Sequence, residues 1–138
     1  MFALLKKFFG TKSEKDIKAI QPLVDKTLEI YPSLASLSND EIRAKVVALK
    51  QQIQDAIKNE QSQIKEMEAR VENEPDMALE TKEELYKEID KLEKDITEKI
   101  EEVLNEILPE AYAILKDTAR RFAENEEVVV TANEFDIK

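Results

Sequence analysis

Two narrow apolar stripes, parted by a proline, most constrain how this chain can fold. The first holds Ile42, Val46, Leu49, Ile53, Ile57, Ile64, Met67 and Val71, and every interval is three or four residues except one of seven. The second holds Leu85, Ile89, Leu92, Ile96, Ile100, Val103 and Ile107 at the same steps. Steps of three and four put side chains along one side of an α-helix. Stripes this thin read as coiled-coil seams, not as the broad face of a globular helix. Between them, "ENEPDMALE" carries Pro75, which breaks the pattern. Two such helices with a short link fold back most easily as an antiparallel hairpin. At 1.5 Å per residue, that arm is roughly 40–50 Å long.

Local signals place the helix ends. In "LSNDEI", Ser38 is a good N-cap, Glu41 completes a capping box, and Leu37 and Ile42 stand at the two ends of a hydrophobic staple. Thr81 with Glu84 suggests a second box, and Thr11 with Glu14 a third. From Glu14 to Tyr31 the positions Ile17, Ile20, Val24, Leu28 and Tyr31 predict a helix with one buried face. Pro22 inside it predicts a kink or restart, and Pro32 ends it. Pro109 is expected to restart a helix at its first position, with Ala111, Tyr112, Leu115, Ala119 and Phe122 as the apolar face. Glu83–Lys87, Asp90–Lys94 and Asp95–Lys99 are spaced to pair along the second stripe's helix. Val128 to Thr131 have β character but no second strand to pair with.

The expected fold class is therefore all-α. Short N-terminal helices pack at the base of a long antiparallel coiled-coil-like hairpin, and a C-terminal helix returns from it. The divisions are an amphipathic helix over 1–10, N-terminal helices over 11–53, a hairpin arm over 54–105, a return helix over 106–124 and an extended tail over 125–138. The arm is either architecture or a docking arm for a partner. Its seam could close within one chain or between two copies, so a homodimer stays open.

Composition narrows the function. The chain has no His, no Cys and a single Gly, so Ser/His and Cys/His nucleophile systems are excluded. A phosphate-binding P-loop needs two glycines. Carboxylates abound, but on solvated helix faces; no catalytic, cofactor-binding or metal-binding residue is expected. The net charge of −10 argues against nucleic acid. The charge is uneven: Lys6, Lys7, Lys12, Lys15 and Lys18 against Glu14 and Asp16 give residues 1–20 a balance of +3, leaving −13 for the rest. A positive front on an acidic body points to an anionic surface met by the N-terminus.

"MFALLKKFFG" is too short for a membrane span and lacks the cleavage pattern of a signal peptide. Two readings remain for it. The phenylalanines pack on the protein body, or Phe2, Leu5, Phe8 and Phe9 enter a lipid boundary while Lys6 and Lys7 meet anionic headgroups. The two can alternate.

Three blocks carry a family likeness. "MFALLKKFFGTKSEKDIKAIQPLVDK", "YPSLASLSNDEIRAKVVALKQQI" and "ILPEAYAILKDTARRF" resemble the amphipathic start, the "L-S-D-E-E-L-R-x-K-T" helix and the "L-P-E-A-F-A-V-V-R-E-A-x-x-R" helix of the N-terminal segment of SecA, the preprotein translocase motor ATPase. Together they span about half the chain. Val46 stands where that family usually has Thr. The stretch from about Gln54 to Glu102 is longer than the family's usual connection and looks like an insertion, as in Bacteroidetes-like forms. After "ARRF" the family passes into a "G-M-R-x-F-D-V-Q-L" segment and a Walker A loop, whereas "AENEEVVVTANEFDIK" stands here. No nucleotide-binding residue of the family has a matching position.

The resemblance implies a fragment of a protein-export motor that sits in the cytoplasm at the inner face of the cell membrane. Its parent would use ATP and Mg and push preprotein through a SecY-type translocon. The segment itself would not hydrolyse ATP. It would scaffold the rest of the motor and contact anionic lipid and the translocon through Phe2, Leu5, Lys6, Lys7, Phe8 and Phe9. The rival reading is a stand-alone coiled-coil adaptor with a lipid-binding N-terminus.

Overall fold

The computed structural model describes residues 12–127 together with Ala132 and Ile137. The expected helix over 1–10, the Thr11 box and the Val128–Thr131 run lie outside the described residues. The described elements are helical: α1 (Lys12–Ile30), a 3-10 turn (Tyr31–Leu34), α2 (Asn39–Asn73) and α3 (Leu79–Glu124). An all-α chain is what the periodicity predicts.

The chain divides into two compact units, one of Ser38–Pro109 and one of Met1–Leu37 with Glu110–Lys138. The first is the hairpin. Ser38 opens α2 with the expected capping box: Glu41 N–H donates to Ser38 Oγ at 3.3 Å, and Ser38 N–H donates to Glu41 Oε2 at 2.7 Å. At the far end Pro75 disfavours a helical residue before it, and Glu74 leaves the helix at φ −115° and ψ 70°. Glu74 N–H still donates to Arg70 O at 3.1 Å, and Met77 N–H to Glu74 O at 3.0 Å. Such local bonds satisfy backbone groups freed at a helix end.

Residues 74–78 alone link α2 to α3. The two helices meet at Glu60 and Lys99, which lie 39 apart in sequence. So short a link between contacting helices of this length makes the pair antiparallel, as the stripes predict. Ile42, Leu49, Ile57, Val71, Ile89 and Leu92 are buried here. Each contributes about 1.5–3 kcal/mol by leaving water. Ion pairs along the outside, such as Arg43–Asp40 at 2.7 Å, are well exposed and add about 0–1 kcal/mol.

Among its described residues the second unit has Leu34, Ala113 and Ile114 as buried apolar side chains. Tyr31 sits beneath the Lys116 ammonium, 5.1 Å from its ring centroid, within the range of a cation–π contact.

Several local expectations are corrected. Helix α3 begins at Leu79, and Lys82 N–H donates to Ala78 O at 3.1 Å, so Thr81 lies in the first turn and is not a cap. Of the kink or restart expected at Pro22, the restart does not occur: helix α1 runs through it. Nor does Pro109 begin a helix; it lies inside α3. Each interior proline forfeits one backbone bond, yet the helix already formed on both sides needs no second nucleation. Lys99, spaced to pair with Asp95, instead crosses the hairpin to Glu60 at 2.7 Å.

The buried faces also differ at two places. No residue of α1 is buried; Ile17, Ile20, Val24 and Leu28 are all exposed. Near the end of α3, Tyr112, Leu115 and Phe122 are exposed while Ala113, Ile114 and Asp117 face inward. The helix has turned its small and charged side to the core, because that side makes the polar contacts described next.

Candidate functional site

Asp117 is fully buried and lies one turn before a pair of arginines on α3. Steps of three and four residues bring Arg120 and Arg121 back over it. Its Oδ1 accepts from Arg120 Nη2 at 2.8 Å and Nε at 3.2 Å, and its Oδ2 accepts from Arg121 Nε at 2.6 Å. Arg120 Nη1 also donates to Glu124. Burial pushes the Asp117 carboxyl up, but the hydrogen bonds and charges of Arg120 and Arg121 outweigh it and hold the pKa below the usual carboxylate range. The Asp117 bond raises the Arg120 pKa in turn. A carboxylate held ionised and bonded on both oxygens makes a poor proton donor, so this cluster serves geometry, not acid–base chemistry.

The Nη2 end of Arg121 shows what is held. Its Nη2 donates to Leu34 O at 3.1 Å and to Leu37 O at 2.5 Å. Those carbonyls belong to the corner at the end of the 3-10 turn, where Ala35 N–H donates to Pro32 O at 3.4 Å and Leu37 N–H to Leu34 O at 3.1 Å. The planar guanidinium presents donors in a fixed fork, so one side chain can hold Asp117 and two carbonyls together. Sequence reading places "ARRF" in a family-like block but gives Arg121 no partner, because its carbonyl partners lie 84 and 87 residues away.

Glu60 is the second polar group that periodicity passes over. It fills the seven-residue interval of the first stripe, midway between Ile57 and Ile64. The residue is 8% exposed, and its Oε1 accepts from Lys99 Nζ at 2.7 Å. Lys99 is the main cause of its lowered pKa, followed by Glu60's own backbone N–H, with a lesser contribution from the Asn59 amide. Its Oε2 is buried without a well-aligned donor. The gap in the stripe was the available signal.

The exposed residues offer apolar ridges. Ile17, Ile20, Val24 and Leu28 step along α1, with Lys12, Lys15 and Lys18 also exposed on that helix. Tyr112, Leu115 and Phe122 step along α3. Ridges of this kind suit docking against another apolar surface. The residues expected to contact membrane or translocon, Phe2, Leu5, Lys6, Lys7, Phe8 and Phe9, lie outside the described residues.

Among the described residues no group of acidic side chains is arranged to hold a metal ion, and no helix is long and apolar enough to cross a membrane. A shallow depression lined by Asp90, Glu93, Lys94 and Thr97 uses four exposed residues of one helix and encloses nothing.

Comparison with known proteins places residues 5–132 within the model of the SecA DEAD-like domain. The protein translocase subunit SecA of Parabacteroides distasonis is 55% identical over 130 residues, covering 94% of this chain and 11% of that protein. Its counterpart from Phocaeicola vulgatus is 51% identical, covering 94% of this chain and 12% of that protein. The one from Cytophaga hutchinsonii is 40% identical across all 138 residues, again 12% of that protein. The chain thus spans little more than a tenth of the length of these relatives. No solved structure matches it.

Proposed function

The chain belongs to the SecA DEAD-like domain family, and from that membership we propose that it is the N-terminal segment of an ATP-driven preprotein translocase motor. The observation that carries this reading is identity of 55% sustained over 94% of the chain with a protein translocase subunit SecA. That likeness includes the hairpin region, which the sequence marks as an insertion.

In this reading the segment has two tasks. It scaffolds the remainder of the motor, for which the exposed ridges on α1 and near the end of α3 supply apolar contact. It also anchors the motor, from the cytoplasmic side, to anionic lipid and a SecY-type translocon through Phe2, Leu5, Lys6, Lys7, Phe8 and Phe9. The large apolar side chains flanking the Lys6–Lys7 pair there support an interfacial helix, and the exposed lysines of α1 extend the positive charge beyond it.

The residues present do not fit ATP or Mg. With one glycine the chain lacks the loop that lets backbone N–H groups approach phosphates, and no carboxylate cluster suits a cation among the described residues. Nucleotide would be held by parts of the motor beyond these residues, and no catalytic step is assigned to this chain.

Two measurements test the reading. Continuation of the reading frame past Lys138 into a Walker A loop supports the motor; a stop codon there favours the coiled-coil adaptor. Deleting residues 1–10 should abolish flotation with vesicles rich in anionic lipid, and unchanged flotation would remove the anchoring role while leaving the motor reading intact.

A further inference from the structure

We propose that the Glu60–Lys99 pair is the register key of the hairpin, selecting which turns of α2 and α3 face each other. The apolar seam does not select them alone. In α3, Leu85 and Leu92, then Ile89, Ile96 and Val103, then Ile100 and Ile107 each recur at intervals of seven. A helix with that repeat offers a similar ridge one heptad away. Glu60 is buried while the Lys99 side chain stays 43% exposed, and a buried polar group at such a seam is the best-attested device for fixing register.

The substitutes for Lys99 show why this pair can discriminate. Sliding α3 by one heptad sets Leu92 or Glu106 in the place of Lys99. Opposite Leu92, the Glu60 carboxylate loses its ammonium partner while it remains buried. Opposite Glu106, two carboxylates meet. The second slide is the more reachable one: the longer link it needs at the tip costs little entropy, and it also draws Arg121 away from Leu34 O and Leu37 O. The first would draw link residues, Pro75 among them, towards the helices.

Glu60 is also an expensive residue to bury. Its Oε2 lacks a well-aligned donor, and an isoleucine or leucine there would continue the stripe. A half-satisfied carboxylate in the middle of a seam does little for stability that an apolar side chain would not do better. Discrimination between registers is what it can supply and leucine cannot.

The chain contains no cysteine, so spin labels can be placed cleanly on cysteines introduced at the exposed positions Lys50 and Lys94 and their separation measured by pulsed dipolar spectroscopy. With Glu60 and Lys99 intact, one separation is expected. Glu60→Leu/Lys99→Leu should stay helical by circular dichroism, keep or raise its melting temperature, and gain a second separation displaced by about 10 Å, the rise of one heptad. Glu60→Lys alone should move the population to the displaced separation, since the introduced ammonium is repelled by Lys99 and drawn to Glu106. A helical double-leucine variant with a single, unmoved separation overturns the proposal. So does a helical Glu60→Lys variant that keeps the original one.

Discussion

Arg121 donates to the carbonyl of Leu34 across 87 residues of sequence, and the same Nη2 reaches Leu37 O. One guanidinium therefore joins the corner at the end of the 3-10 turn to the end of α3. Arg121→Ala should cost about 2–3 kcal/mol, the scale for hydrogen bonds made by a charged group to partners that are then left buried. Arg121→Lys should recover little of it, because an ammonium lacks the planar fork. Urea unfolding of both variants checks this, and a lysine variant as stable as the parent would contradict it.

Acid should weaken the fold from the carboxylates inward. Asp117, Glu60 and Glu41 all have folded-state pKa values below the ordinary range. For Glu41 the first cause is the backbone N–H of Ser38. A group with a depressed folded pKa stabilises the fold fully above its unfolded value and loses that contribution as pH falls through the folded one. Stability should hold down to about pH 5 and then decline below the unfolded values near 4. Asp117→Asn should flatten part of that decline in thermal melts taken between pH 3 and 6, and an unchanged slope would remove Asp117 from the account.

Ser38→Ala should cost about 1 kcal/mol through loss of the N-cap. The Glu41 half of the box is retained in that variant, so amide exchange should quicken at the first turn of α2 and leave the turns around Glu60 unchanged.

Pro22→Ala should stabilise α1. Pro22 is exposed and interior to the helix, so alanine restores a backbone donor with no packing lost. The gain is up to about 3 kcal/mol in local helix stability. Slower amide exchange across Lys18–Lys26 is the expected result.

The seam and the Ser38 box were legible because both rest on short-range rules: a helical period and a side chain reaching its own helix end. What escaped depends on partners distant in sequence. Tyr112, Leu115 and Phe122 look like the buried side of α3 by size and apolarity, yet Asp117 faces inward because two arginines neutralise it and one of them reaches the corner at Leu34 and Leu37. Glu60 left a trace, the one missing beat in the first stripe, but Lys99 as its partner required the fold. Local sterics mark Pro109 as a helix start, whereas helix on both sides carries the chain past it. The expected lipid-facing residues, Phe2 to Phe9, fall outside the described residues.

The clamp by Arg121 also sets an order of events during synthesis. The hairpin's two helices are joined by a short link and can zip together soon after both leave the ribosome. The corner at Leu34 and Leu37 emerges earlier, yet its guanidinium is not made until 87 residues after Leu34. At ordinary translation rates that is a wait of roughly 4–17 s. The first corner to be made is therefore among the last to be locked.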